Sequence, residues 1–161
     1  MIDLAASEAF DVANIVEDLL VAARADIGTL HISRVPVDLR AQASQVLETW
    51  EQSLVSRIRL GGGGARAIGD PARVRQILRN LITNALRYGG EDIKVELTTI
   101  GPTTYIGVSD NGPGIPPEDQ SKIFEAYQRA HTDPGQPGSV GLGLAVSRNL
   151  ARLMDGDLTY R

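Results

Sequence analysis

Two asparagines, an arginine and a tyrosine lie close together in the segment 70–89, DPARVRQILRNLITNALRYG. At about 100° per residue of an α-helix, Asn80, Asn84 and Arg87 fall within roughly 60° of one another, and Tyr88 lies at the edge of this strip. An amide oxygen is a suitable ligand for Mg²⁺, and a guanidinium can bind phosphate oxygens. The strip predicts a site for a metal-bound nucleotide, although a solvated face of an amphipathic helix would carry similar residues.

A second cluster of this kind is the sequence Asp-Asn-Gly-Pro-Gly at 110–114, directly after a predicted strand. Gly112 and Gly114 allow the backbone to approach a flat ligand, and Asp110 can accept a hydrogen bond from an exocyclic amine such as that of adenine. Taken alone, the cluster is equally compatible with a surface turn, because these dipeptides are common in turns.

The third cluster is a pair of glycines, Gly141 and Gly143, at the predicted start of a helix. Backbone N–H groups at a helix N-terminus are available to an anion, and the helix dipole favours negative charge there. The preceding segment 130–139, AHTDPGQPGS, is polar and rich in glycine and proline, which predicts a mobile lid. Arg129, next to this lid, is a candidate for binding a terminal phosphate.

Regular elements must hold these clusters in place. Asp70 is a good N-cap and Pro71 suits the first helical position, so the asparagine-bearing helix is expected to begin there. Apolar and polar residues alternate over 93–99 and the chain returns over 105–109, which predicts an antiparallel hairpin that ends at Asp110.

The remaining elements are predicted from weaker local signals. A second helix is expected over 38–54, and a short one over 117–127. Residues 55–60 and 65–69 have strand character and are separated by four glycines at 61–64, which predicts a second hairpin. Residues 11–25 predict a helix with a wide apolar stripe that needs a partner, made of Val12, Ile15, Val16, Leu19, Leu20 and Ala23.

Composition narrows the function classes. The chain has 161 residues, 42% of them hydrophobic, which suits one cored domain. A net charge of −4 argues against a broad nucleic-acid or anionic-membrane surface, and the lack of cysteine excludes disulfides and thiolate metal sites. No apolar run approaches the roughly 20 residues of a membrane helix, so we expect this piece to be soluble. The location that we expect is a cytoplasmic domain, of a parent protein with or without a membrane anchor.

In this order, the motifs resemble the catalytic and ATP-binding domain of two-component sensor histidine kinases, a branch of the Bergerat-fold ATPases. The similarity spans 35–161, in which 80–89 resembles the N box, 110–114 the G1 box, 122–130 the F box and 141–144 the G2 box. The resemblance implies an α/β two-layer sandwich, with a mixed, mainly antiparallel sheet covered on one face by three helices. It also implies that ATP and Mg²⁺ bind between the helices and the lid.

The resemblance further implies roles for individual residues. Asn84 would coordinate Mg²⁺, Asn80 would assist it, and Arg87 would contact phosphate, which makes these three the expected catalytic residues. Tyr88 would flank the base and Asp110 would bind the adenine amine. The implied nucleotide-binding residues are Asn80, Asn84, Arg87, Tyr88, Asp110, Gly112, Gly114, Ile115, Tyr127, Arg129, Val140, Gly141, Leu142, Gly143 and Leu144.

Two domains follow from the resemblance. Residues 1–30 resemble part of the second helix of the dimerisation and histidine-phosphotransfer hairpin, and 31–161 the catalytic domain, with its last strand truncated. Neither His31 nor His131 lies in the family's phosphoacceptor pattern, so autophosphorylation in cis is not expected. The implied partners are the protein's own phosphotransfer domain, in a full-length homodimer, and the receiver domain of a response regulator.

Two other functions remain open at this point. Bergerat-fold ATPases that hydrolyse ATP use a Glu one helical turn before the Mg²⁺-binding Asn, and here that position is Asn80, which cannot act as a base. A non-enzymatic nucleotide-binding or partner-binding module, or a serine kinase that acts as an anti-sigma factor, is the second alternative. The apolar helix at 11–25 favours the sensor kinase, because the phosphotransfer hairpin needs such a stripe.

Overall fold

The computed structural model describes residues 2–126 and 141–161, and for residues 2–11 the backbone only. Its helices are α1 (Ile2–Asp26), α2 (Leu39–Glu48), α3 (Gln52–Val55), α4 (Pro71–Tyr88) and α5 (Gly143–Leu153). Its strands are β1 (Val35–Asp38), β2 (Ile58–Gly62), β3 (Arg66–Gly69), β4 (Ile93–Ile100) and β5 (Thr103–Asp110). The whole predicted lid over 130–139, together with Tyr127, Arg129 and Val140, lies outside the described residues.

The strands form two small sheets. In the three-stranded sheet, β4 is central and pairs antiparallel with β5 and parallel with β2. The predicted hairpin over 93–109 is therefore confirmed, and Ile93 lies opposite Asp110 in its register. In the second sheet, β1 pairs antiparallel with β3.

The predicted hairpin between 55–60 and 65–69 is wrong, because β2 and β3 belong to different sheets. The backbone at Gly62 has φ +86 and lies so close to β4 that a Cβ there would meet the carbonyl oxygen of Leu97 at 2.1 Å. The glycine-rich connection thus carries the chain along β4 and into the second sheet instead of turning it back on itself.

The core lies between the three-stranded sheet and the helices α2 and α4. Alternate residues of β4 are buried, as expected for a strand with one covered face. The helix α5 packs on the flank of α4, in a second cluster that includes a residue of α1. The main core is formed by Ala43, Val46, Leu47, Ile58, Leu78, Ile82, Ala85, Ile93 and Val95. The α/β two-layer fold is confirmed.

Two predicted helices differ in the structure. The helix expected over 38–54 is divided, because α2 ends at Glu48 and α3 covers only one turn. Residues 117–124, expected to be helical, lie in turns. Their backbone bonds mostly span three residues, as in the bond from Lys122 N–H to the Asp119 carbonyl, so no α-helix is propagated there.

The apolar stripe of α1 faces mostly away from the rest of the chain. Val12 is 59% exposed and Leu20 is 51% exposed, whereas Asp18 and Val21 are buried. The helix therefore docks on the domain through a partly polar face. No helix in the described part of the chain combines the length and the apolar character that a membrane crossing requires.

The start of α4 is fixed as predicted. Asp70 is the N-cap, its Oδ1 accepts hydrogen bonds from the N–H groups of Ala72 and Arg73, and Pro71 occupies the first turn. Its Oδ2 accepts from the N–H of Ser33 at 3.1 Å, which ties the segment before β1 to this helix. Burial acts to raise the pKa of Asp70, but these hydrogen bonds outweigh it and lower the pKa below its ordinary value.

We expect Asp70→Ala to lower the free energy of unfolding by about 1 kcal/mol at pH 7, and Asp70→Asn to lower it less, because Asn also caps helices. Since the folded pKa lies below the ordinary 3.8, the contribution of the ionised cap is complete above that value and is lost as the pH falls through the folded pKa. Urea unfolding of both variants between pH 7 and pH 3 measures this. An Asp70→Ala deficit that stays constant down to pH 3 would contradict the assignment.

Candidate functional site

The helices α4 and α5 are in direct contact at Asn80. Its Nδ2 donates hydrogen bonds to the carbonyl oxygen of Gly143 at 3.2 Å and to Oγ of Ser147 at 3.1 Å. Asn80 is only 8% exposed. The amide-bearing edge of one helix and the glycine-containing start of the other, which the sequence assigned to one nucleotide site, are thus neighbours.

The other predicted residues of α4 continue from Asn80 toward the C-terminal end of the helix. Asn84 lies one turn beyond Asn80 and is partly exposed, as is Arg87, while Tyr88 is exposed. Residues four apart on a helix lie on the same face, so the amide of Asn84 is on the face that meets α5. The helix ends at Tyr88, and Gly89 is its C-cap.

The loop after β5 packs against this end of α4. A Cβ on Gly89 would lie 2.6 Å from Cγ of Asp110, and a Cβ on Gly112 would lie 2.7 Å from Cα of Gly89. Only glycines permit such an approach. The N–H of Gly112 donates to Oδ1 of Asp110 at 2.8 Å, which fixes this exposed carboxylate beside Gly89.

The next residues of the loop are held by the C-terminal segment. Gly114 has φ +73, a conformation that favours glycine. The N–H of Ile115 donates to the hydroxyl of Tyr160 at 3.1 Å, and Gln120 Nε2 donates to the carbonyl of Ile115 at 2.9 Å. The predicted Ile115 thus lies at the edge of the Asp110 loop, with both backbone polar groups engaged.

The first turn of α5 has no side-chain cap from its N-cap residue. Gly141 has φ +70, and the N-cap, Leu142, provides no side-chain acceptor. The first intrahelical bond runs from the Val146 N–H to the Leu142 carbonyl, so the N–H groups of Gly143 and Leu144 have no acceptor within the helix. The side chain of Leu142 is buried in the core cluster, so only its backbone is available to a nucleotide.

These residues fit ATP with a divalent ion. The first-turn N–H groups of α5 suit phosphate, and the Asp110 carboxylate suits an amine. In the described part of the chain no group of three or more His, Asp or Glu side chains could hold a metal. A cation at the Asn84 amide would therefore take its other ligands from water and from the phosphates, as Mg²⁺ commonly does.

A buried polar network behind the site was not predicted. Asp18 of α1 is 6% exposed and accepts hydrogen bonds from Gln76 Nε2 at 2.8 Å and Asn80 Nδ2 at 3.2 Å. Burial raises the pKa of Asp18, against the lowering effect of these two hydrogen bonds. The neighbouring Glu17 pairs with Arg79 at 2.7 Å. The available signal was an acidic residue between the apolar Val16 and Leu19.

Similar proteins are sensor kinases. The chain is 30% identical over 159 residues to "Signal transduction histidine-protein kinase BarA" of Escherichia coli (91% of this chain, 17% of BarA). It is 35% identical over 160 residues to "Probable sensor histidine kinase TcrY" of Mycobacterium tuberculosis (96% of this chain, 34% of TcrY). The chain therefore spans about a sixth to a third of the length of these relatives.

Solved structures with a similar fold include a complex with an ATP analogue. The structure of full-length ShkA in complex with AMPPNP superposes with a TM-score of 0.71 at 28% identity, covering 94% of this chain and 33% of ShkA. A family model described as "Histidine kinase-, DNA gyrase B-, and HSP90-like ATPase" matches residues 69–161, which include α4, the Asp110 loop and α5. The chain belongs to the histidine kinase-, DNA gyrase B- and HSP90-like ATPase family, and its similarity within that family is to the ATP-binding catalytic domains of sensor histidine kinases.

Proposed function

We propose that this chain binds Mg-ATP and transfers its γ-phosphoryl group to a histidine on a phosphotransfer helix, for relay to an aspartate of a response regulator. The observation that carries the proposal is the contact between Asn80 of α4 and Gly143 at the start of α5. This contact brings the amide strip next to the end of α5 that would bind the phosphates. The sensor kinases BarA and TcrY, and the AMPPNP complex of ShkA, support the same function.

Each side chain has a defined part in this proposal. Asn84 would hold Mg²⁺ through its amide oxygen, with help from Asn80, and Mg²⁺ when bound would neutralise charge on the phosphates. Arg87 would offset further phosphate charge, and Asp110 would accept a hydrogen bond from the adenine amine. The acceptor imidazole nitrogen then forms a bond to the γ-phosphorus as the bond to the bridging oxygen breaks, and ADP leaves. The chain contributes positioning and electrostatics.

Transfer is favoured over hydrolysis by what surrounds Asn80. Within the described residues, the carboxylate hydrogen-bonded to that amide is Asp18, and both of its oxygens accept hydrogen bonds from amide groups in a buried setting. This carboxylate is directed at amide groups, whereas a general base must lie within hydrogen-bond reach of the water proton that it takes. The ATPase alternative therefore lacks a base at the position where it requires one.

We also propose that α1 is part of the second helix of the phosphotransfer hairpin, within residues 1–30, and that residues 31–161 form the catalytic domain. The support is the division of α1 into two faces. One face docks on the catalytic domain through Glu17, Asp18 and Val21. The other leaves exposed the apolar side chains that would suit the remaining hairpin helices of a homodimer, namely Val12, Val16, Leu19 and Leu20.

The experiment is a transfer assay in trans. The chain is mixed with ATP labelled at the γ-phosphate and with separately produced phosphotransfer hairpins of similar kinases such as TcrY. We expect acid-labile label on a hairpin histidine, and none when that histidine is replaced by Gln. Release of free phosphate without labelling would support the ATPase alternative. ATP binding with neither product would support a binding module, and either result contradicts the kinase proposal.

A further inference from the structure

The side-chain amide of Asn80 is held in one orientation by its neighbours. Its Nδ2 lies within hydrogen-bond distance of a carboxylate oxygen of Asp18, the backbone carbonyl of Gly143 and the hydroxyl of Ser147. A carboxylate and a carbonyl can only accept, so the nitrogen of the amide must face them. The oxygen Oδ1, which is the atom able to bind a cation, lies in the same amide plane and points from Cγ away from these acceptors.

Asp18 is itself fixed from behind. Gln76 is 1% exposed and donates from Nε2 to Oδ1 of Asp18 at 2.8 Å. The Oε1 of Gln76 accepts from Nη1 of Arg73 at 2.9 Å, which sets the orientation of that amide in turn. Arginine, glutamine, aspartate and asparagine therefore form a chain in which each donor meets an acceptor, and it ends on Asn80.

A buried carboxylate is costly to maintain. Removing an ionised carboxylate from water costs several kcal/mol, and an apolar side chain at this position of α1 would avoid that cost. The neighbouring Glu17 already supplies an ion pair between α1 and α4. Docking of the helix is therefore served without Asp18, whereas Asp18 adds a second acceptor-only group, beside the Gly143 carbonyl, that holds the Asn80 amide nitrogen.

We propose that Asp18 is a positioning residue for the nucleotide site, which orients the Asn80 amide and so makes the metal-binding state of the site depend on the docked position of α1. The inference rests on the proposed function, because it assigns Asn80 a part in binding Mg-ATP. It adds a physical connection between α1, the helix proposed to be part of the phosphotransfer hairpin, and the residues proposed to bind Mg²⁺.

The test compares Asp18→Asn with Glu17→Gln, which removes the same charge from the same helix without touching Asn80. In Asp18→Asn, one of the two carboxylate oxygens is replaced by an NH₂ group. In either orientation of the new amide, this NH₂ group faces another donor, Gln76 Nε2 or Asn80 Nδ2, so one hydrogen bond is lost. The measurement is the ratio of ATP affinities with and without Mg²⁺, by calorimetry on the 161-residue chain. We expect Asp18→Asn to reduce this ratio by about tenfold or more, as for other residues that orient metal ligands, and Glu17→Gln to preserve it within about twofold.

A second readout needs no ligand. In the nitrogen-proton NMR spectrum of the ligand-free chain, the Asn80 side-chain amide, assigned by its loss in Asn80→Asp, should exchange slowly with solvent. Asp18→Asn should shift it and accelerate its exchange. Both measurements are repeated on Asp18→Ala, which removes the acceptor without adding a donor. Thermal unfolding shows whether each variant is folded.

Two results would overturn the inference. One is a ratio of ATP affinities with and without Mg²⁺ that stays at the wild-type value in both Asp18 variants. The other is a reduction of this ratio in Glu17→Gln that is as large as in Asp18→Asn. A wild-type chain whose ATP binding does not depend on Mg²⁺ would instead contradict the proposed function, so the two failures can be distinguished.

Discussion

Asn84→Ala should abolish the Mg²⁺-dependent part of ATP binding and leave the fold intact. The variant removes the amide oxygen expected to bind the cation. Replacing residues that only orient a metal ligand costs roughly 10- to 100-fold in metal affinity, so a loss of at least this size is expected for the ligand itself. Alanine has a higher helix propensity than asparagine, so the free energy of unfolding should not fall. Calorimetric titration with ATP, with and without Mg²⁺, measures the effect.

The matched control is Asn149→Ala, the same substitution at an exposed position of α5. It should leave the titrations unchanged in both conditions. If Asn84→Ala binds Mg-ATP as tightly as the wild type, the amide strip of α4 is not the metal site.

Asp110→Asn should weaken ATP binding and relax the discrimination against GTP. Adenine presents a donor at its exocyclic amine, and guanine presents an acceptor at the corresponding position. A hydrogen bond to a charged group contributes about 1.5–3 kcal/mol, so ATP affinity should fall by roughly 10- to 100-fold. The new amide can donate as well as accept, so GTP should lose less. Competition titrations with ATP and GTP give both affinities.

Glu118→Gln, at an exposed acidic residue of the following segment, controls for the loss of one negative charge. It should change neither affinity nor selectivity. Unchanged selectivity in Asp110→Asn would exclude the carboxylate from adenine recognition, and Asp110 would then serve only to hold the Gly112 turn.

Much of the frame of the site could be predicted because its signals are local. The cap at Asp70 and the apolar spacing of α4 lie within one helix, and the alternation over 93–99 lies within one strand. The order of the four motifs, at 80–89, 110–114, 122–130 and 141–144, was enough to indicate the family. Contact between Asn80 and Gly143 agrees with the expectation that these edges are neighbours.

Strand pairing could not be predicted from such signals. The four glycines at 61–64 resemble a hairpin turn, but partner choice depends on which strand completes the core. Ile58 of β2 packs in the main core beside Ile93 of β4, so β2 joins the larger sheet. The pairing of β2 with β4 depends on the tertiary structure, and the local sequence around the four glycines does not predict it.

The network around Asp18 was missed for a related reason. Helical periodicity described α1 by its apolar residues and expected that stripe to be covered, whereas the side that docks on α4 and α5 contains Glu17 and Asp18. A buried carboxylate is recognised only when its donors are known. Here the donors, Gln76 and Asn80, lie 58 and 62 residues away in the chain.

The most direct test of the account is a crystal structure of the chain with Mg²⁺ and a non-hydrolysable ATP analogue. We expect the metal about 2.1 Å from Oδ1 of Asn84. The phosphates should lie within hydrogen-bond distance of the N–H groups of Gly143 and Leu144, and the adenine amine should meet Asp110. An analogue bound elsewhere, or phosphates in contact with neither α4 nor the start of α5, would contradict the central claim.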